Sequence, residues 1–291
     1  DIRLAVAMSG QKPDIDADLA LAARVQSDLD GSVLRIDGLT ITLTPKGGVV
    51  PAGIGKVELA GDLTVHTVPQ RVDIARLSLS TPTLKVGANG TAALGAQSFE
   101  GLVTLAGSPR KALESLGTPV RTADPKVLDA LDLKLDVQAA PAKVDVRSIT
   151  GKLDDTAIQG KASAVPGAVQ VIRAELTLDA IDVDRYLPPE GDKGKATEKG
   201  AAPTTGKGGK DGKDGKAAPQ DSTAEAKKSL RTIDADVTFK AGRLVASKVP
   251  MTNVLVRLVA DKGLVRINPL QLNLGGGSVN GDITADTRAE A

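Results

Sequence analysis

From Leu131 to Gln138 the chain reads Leu-Asp-Leu-Lys-Leu-Asp-Val-Gln, aliphatic at every odd position and polar at every even one. In an extended chain successive side chains leave on opposite sides, so this octet carries one dry face and one wet face. A helix would scatter the same residues around its axis. The pattern recurs at Ile15, Ala17, Leu19 and Leu21, at Leu39, Ile41 and Leu43, and at Val57 and Leu59 followed by Leu63 and Val65. It continues at Val72 and Ile74, Leu77 and Leu79, Val144 and Val146, Ala174, Leu176 and Leu178, and finally Leu270, Leu272 and Leu274. Roughly 18 such runs are separated by Gly, Pro, Asn or Asp at intervals of about 8–12 residues. The spacing predicts consecutive, mainly antiparallel strands: an all-β chain forming an elongated curved sheet or groove with an apolar concave face.

What covers that face is the functional question, and composition narrows it. The 291 residues include one Tyr, two Phe and no Trp, so the dry side is built almost wholly of Leu, Val, Ile and Ala. An aliphatic wall suits flexible alkyl chains, which need burial but no directional bonds. It also suits an ordinary core sealed by a second sheet, and the sequence leaves both open. With no Cys there is no disulfide, thiol nucleophile or zinc ribbon. A net charge of +1 removes bulk attraction to nucleic acid. No apolar run approaches the ~18 residues of a membrane span. The chain begins at Asp1 without a signal-like stretch and reads as a piece of something longer, whose remainder would hold any anchor.

Two short helices are predicted near 109–117 and 125–130. Ser108 can cap the first, Pro109 fits its first turn and Gly117 ends it; Asp124-Pro125 offers the same chemistry to the second. From Pro188 to Ser229 there is no Leu, Ile, Val, Met or aromatic residue, so 188–229 is expected to be a disordered low-complexity linker. It divides a β-rich region, 1–187, from C-terminal strands, 230–291, that are expected to complete the same sheet.

Single-residue chemistry is sparse. His66 lies on the polar phase of a strand with no evident catalytic partner, and is expected to be an exposed strand histidine. The alternating Asp14, Asp16 and Asp18, and likewise Asp179, Asp182 and Asp184, lack the Gly turn and closing Glu of a calcium loop and read as solvated strand faces. Gly206-Lys207-Gly208-Gly209-Lys210 has neither the strand nor the helix that a phosphate loop needs. Asn89-Gly90-Thr91 matches a glycosylation acceptor, but Asn-Gly is first of all a hairpin turn. No catalytic, metal or cofactor site is expected, and a carbohydrate-acting β-helix would want stacked aromatics that this chain lacks.

Several stretches together resemble the AsmA family of bacterial envelope proteins. They are Phe99-Glu100-Gly101 leading to Ser108-Pro109-Arg110-Lys111-Ala112-Leu113, then Asp124-Pro125 with Leu128, then Leu153-Asp154-Asp155-Thr156-Ala157-Ile158-Gln159-Gly160. Next come Leu178-Asp179-Ala180-Ile181-Asp182-Val183-Asp184-Arg185-Tyr186-Leu187-Pro188-Pro189 and a polar insert. The last unit runs from Gly242-Arg243-Leu244 through Asn268-Pro269-Leu270 to Gly276-Gly277 and Gly281. The resemblance runs from about residue 30 to the end. Where the family commonly carries Tyr before the terminal Gly-Gly, this chain has Gly275.

The resemblance implies an inner-membrane-anchored protein with a periplasmic β-rich region, related to TamB-type and chorein-type bridge proteins that carry lipid along a greasy groove. The implied partners are phospholipid or another acyl-chain lipid and envelope assembly proteins, with no nucleic acid and no reaction. Groove candidates are Leu131, Leu133, Leu135 and Val137, Leu176 and Leu178, and Leu270, Leu272 and Leu274. The competing expectation is a non-enzymatic scaffold that assists outer-membrane protein assembly and has a sealed core.

Overall fold

Alternation of β-branched and other aliphatic residues with polar ones, cut by Gly- and Asp-bearing turns, yields a single open, curved sheet of 15 strands. The computed structural model describes residues 1–11, 14–48, 52–189 and 231–288. Strands β1 to β4 span Ile2–Gln11, Asp14–Ser27, Val33–Gly48 and Val57–His66. Strands β5 to β7 span Arg71–Ser80, Leu84–Ala93 and Ser98–Gly107; helix α1, Pro109–Ser115, follows. Strands β8 to β11 span Leu131–Ala140, Lys143–Leu153, Thr156–Val165 and Gln170–Asp182. Strands β12 to β15 span Ile233–Ala246, Val249–Asp261, Leu264–Leu274 and Gly277–Asp286.

The order in space is the order in sequence. Every pair is antiparallel except β11 with β12, which run parallel from Gln170 beside Ile233 to Asp182 beside Val245. The strands after the long polar stretch thus join the same sheet as those before it. The expected linker, 188–229, lies outside the described residues apart from Pro188 and Pro189, and with it the Gly206–Lys210 motif.

Fifteen strands rather than about 18 runs follow from β-bulges. In β5, Ile74 faces Gly90 and Leu77 faces Ala88, so three residues on one strand span two on the other. The extra residue flips the alternation, and one strand reads as two runs. Ile36 and Leu39 in β3, Val146 and Ile149 in β9, and Ile267 and Leu270 in β14 repeat the device. In β4 the interruption is the Gly61-Asp62 pair, which sits mid-strand although it reads as a turn. Each bulge bends its strand and sharpens the local twist.

Helix α1 forms as its sequence predicts: the Ser108 hydroxyl accepts from the Lys111 amide at 3.2 Å and Pro109 occupies the first turn. The helix expected at 125–130 is instead a turn. The amides of Leu128, Asp129 and Ala130 donate to the Asp154 carboxylate at 2.7, 2.9 and 3.1 Å, so the single turn closed by the Val127 amide on the Asp124 carbonyl does not continue as a helix. Leu128 also adopts a left-handed φ of 63°. Two 3-10 turns, Ala52–Ile54 and Val183–Arg185, add to the helical elements that the sequence pattern predicts. Asn89-Gly90 is no hairpin turn either, since it lies inside β6 opposite Leu102 and Gly101. Gly90 has a φ of 146°, and a Cβ there would collide with the Glu100 carbonyl.

Candidate functional site

Partners across a ladder share a face, so the register shows where the aliphatic phases go. Val103 faces Leu135, which faces Ile149, then Gly160, Leu176, Phe239, Val256 and Leu270. A second row runs Leu105, Leu133, Gly151, Ile158, Leu178, Ala241 and Val254. Leu131 opposes Leu153, Val137 opposes Val146, Leu272 opposes Val279, and Leu274 opposes Met251. All nine groove candidates therefore lie on one side of the sheet. The rows continue through β5, β4 and β3 to Leu19, Leu21, Leu4 and Val6.

Among the described residues no second layer packs on this face. Elements in substantial contact are sheet neighbours, apart from the short helical turns that touch β3, β12 and α1. Burial is correspondingly shallow. Leu178, 7% exposed, packs with Ala241 and Val254 against Leu176, Phe239 and Leu272, among others. Leu131, Leu133, Leu135 and Val137 are only half-buried, and Leu274 is 40% exposed.

The opposite face is charged. Cross-strand pairs join Arg147 to Asp136 at 2.6 Å, Lys161 to Glu175 at 3.0 Å, and Arg257 to Asp236 at 2.7 Å. They surround a depression of about 460 Å³ in which Arg173 pairs with Asp234, so its cations are already neutralised by the sheet's own carboxylates. His66 is not the exposed residue its sequence suggests: half-buried, it contacts Asp73 at 2.8 Å, and Arg71 reaches the same carboxylate at 3.0 Å. Asp18 pairs with Lys46, while the Asp14 and Asp16 side chains lie outside the described set.

One long rim of the sheet carries a polar knot built from the family-like stretches. Arg110 is buried without a carboxylate. Its guanidinium donates to the carbonyls of Val127 at 2.9 and 2.8 Å, Val120 at 3.1 Å and Asp124 at 3.4 Å, and to the Thr122 hydroxyl at 2.5 Å. The loop after α1 is wrapped around it. Asp154 holds that loop's end and accepts the Tyr186 hydroxyl at 2.9 Å. Burial pulls the Asp154 carboxyl upward, but the amides of Ala130, Leu128 and Asp129 and the Tyr186 hydroxyl outweigh it and hold the group below the usual carboxylate range. Burial first, and then the bond to Asp154, pushes the Tyr186 phenol up to about 12. Arg185 bridges Asp155 at 2.7 Å and Asp124 at 2.9 Å.

Three acids that read as a solvated strand face belong to this rim as caps. Asp179 accepts from the amides of Ala157 and Ala180, Asp182 caps the 3-10 turn through the Asp184 amide, and Asp184 accepts from Ser247 and Lys248. Among the described residues no group of three or more His, Asp or Glu is placed to hold a metal ion. Arg110, Asp154 and Tyr186 had no individual signal in the sequence; only their place in ordered family-like stretches marked them.

A one-layer antiparallel sheet with an apolar face, a charged face and a knotted rim defines a class of extended β protein whose distinctive surface is a face rather than a pocket. The AsmA family model matches residues 67–291, and the chain belongs to that family, a family of the bacterial envelope. The match begins at residue 67, later than the resemblance near residue 30. No curated protein and no solved structure matches the chain. No described helix is long and apolar enough to cross a membrane. Gly275 opens the two-residue turn before β15 with a φ of 57°, followed by Gly276 at 85°, a left-handed backbone that favours glycine.

Proposed function

We propose that this chain is a periplasmic part of an AsmA-family protein and acts in outer-membrane biogenesis by shielding or conveying phospholipid acyl chains along its aliphatic face, without catalysing a reaction. The observation that carries the reading is the uncovered apolar face that register makes continuous from β1 to β15. At ~4.8 Å per strand the face is about 67 Å long, several times the width of an acyl chain. Burying an alkyl chain there would gain ~0.8 kcal/mol per CH₂ removed from water. The paired charges behind it fit a wall that contacts lipid without drawing on headgroup charge. The scaffold alternative needs a cover for the face, and the described elements supply none.

The test is to purify the chain from cells, extract it for lipid mass spectrometry, and titrate it with a fluorescent fatty acid. Co-purified phospholipid, and binding weakened by Leu135→Asp but not by Lys134→Asp, are expected. Absence of lipid together with no fatty-acid binding would refute the reading.

A further inference from the structure

Turns at the two long rims differ in kind. On the rim opposite the knot, successive hairpins at 28–32, 67–70 and 94–97 carry Leu29, Val68 and Leu94. Leu29 is fully exposed and Val68 is 83% exposed, the two most exposed large aliphatic side chains among the described residues; Leu94 follows at 55%. On the knotted rim the fully described hairpin tips between neighbouring strands are Thr81-Pro82-Thr83, Asp154-Asp155, Ser247-Lys248 and Gly275-Gly276, none of which carries a large aliphatic side chain.

The three apolar turns are bonded into one shelf. The Thr67 amide donates to the Ser32 carbonyl at 2.9 Å, and the Leu94 amide donates to the Gln70 carbonyl at 2.8 Å. The first turn is braced internally, with Asp28 accepting from Val33 and Ser32. We propose that this rim seats against the surface of a lipid bilayer, with Leu29, Val68 and Leu94 dipping into the interfacial layer.

Geometry favours a bilayer over a protein partner. The tips stand two strands apart, ~9.6 Å, as three separate projections, which suits them poorly to the contiguous dry centre of a protein interface. A fluid layer accommodates separate shallow insertions. Sheet twist limits how many tips reach one plane. At ~20° per strand and with the tips ~16 Å from the sheet axis, the outer two fall back by only about 4 Å. Tips four strands from the centre would fall back too far, so the shelf is these three. Asp28 and Asp30 beside Leu29 give no attraction to anionic lipid, so binding should be insensitive to salt. The inference does not rest on the acyl-chain reading.

The test uses flotation of the whole chain with phosphatidylcholine vesicles at low and high salt. Leu29→Ser, Val68→Ser and Leu94→Ser combined should cut partitioning by at least ~10-fold. Leu116→Ser, equally exposed at 55% but at the end of α1, should not. As the chain has no Cys, Leu29→Cys, Val68→Cys and Leu94→Cys can each carry an environment-sensitive dye, expected to shift to the blue on vesicles while Leu116→Cys does not. No flotation, flotation untouched by the triple variant, or a rim that instead mediates self-association without vesicles would overturn the proposal. Fatty-acid binding by the triple variant is measured alongside, so that failure here is distinct from failure of the acyl-chain reading.

Discussion

Replacing Arg110 with Met removes a guanidinium that organises some fifteen residues of chain while keeping most of its apolar stem. The cost can be worked acceptor by acceptor. The Val127 carbonyl takes two of the five bonds and belongs to a residue with no exposed surface, so it is left unpaired at ~1–3 kcal/mol. The Asp124 carbonyl keeps the Thr122 hydroxyl at 2.7 Å and loses little. Val120 is half-buried and its carbonyl can turn to water, for less than ~1 kcal/mol. The sum is about 1–4 kcal/mol. Arg110→Lys should recover roughly half of it, because an ammonium reaches one carbonyl but cannot fork. Tyr186 is the one tyrosine and there is no Trp, so its emission in a urea titration reports on this rim directly. Arg110→Met within ~0.5 kcal/mol of the parent, with unchanged Tyr186 emission, would refute the reasoning.

Leu178→Ala should cost ~2–4 kcal/mol and Leu274→Ala less than ~1, because one is 7% and the other 40% exposed; urea midpoints at constant m-value decide it. Leu133→Asp should destabilise clearly more than Lys134→Asp, which is expected within ~0.5 kcal/mol; equal effects would mean that the two faces are not distinct. The Tyr186 phenol, followed by ultraviolet absorbance, should titrate near 12 rather than 10, and Asp154→Asn should lower its midpoint. The folded chain keeps that proton longer than the unfolded one, so this group's contribution to stability is full below pH ~10 and is lost as pH rises toward 12. Asp154 acts in the opposite sense: its contribution is present above pH ~4 and disappears as pH falls through its depressed folded value.

Leu131 to Val137 declared a two-faced strand because period-2 alternation has no other economical reading. Ile74 and Leu77 concealed one strand as two because a bulge changes the phase that alternation measures. The direction of β12 was equally hidden, since parallel and antiparallel strands share the same period. The rim was the hardest part to read. Asp182 and Asp184 have the two-residue spacing of a wet strand face and Asp179 sits nearby, but whether such a carboxylate meets water or an amide from Ala157 or Ser247 is decided by residues distant in the chain. Position 128 illustrates the same limit, for a carboxylate 26 residues away took the amide that a helix would have used.

Because each strand pairs with its neighbours in sequence, the sheet is close to a one-dimensional object, in which order spreads from strand to strand like a zipper. Twelve of its junctions close over eight residues or fewer, and β7 with β8 closes over the 23 that hold α1 and the loop after it. The fourteenth, β11 with β12, closes over the fifty residues between Asp182 and Ile233, roughly 2 kcal/mol dearer in entropy than a tight turn. That seam joins an eleven-strand meander to a four-strand one, and the Asp184 carboxylate clasps Ser247 and Lys248 across it. Within each length every strand pairs with its neighbour in sequence, so the seam is the one junction at which closure of so long a stretch of chain is needed to make a single sheet.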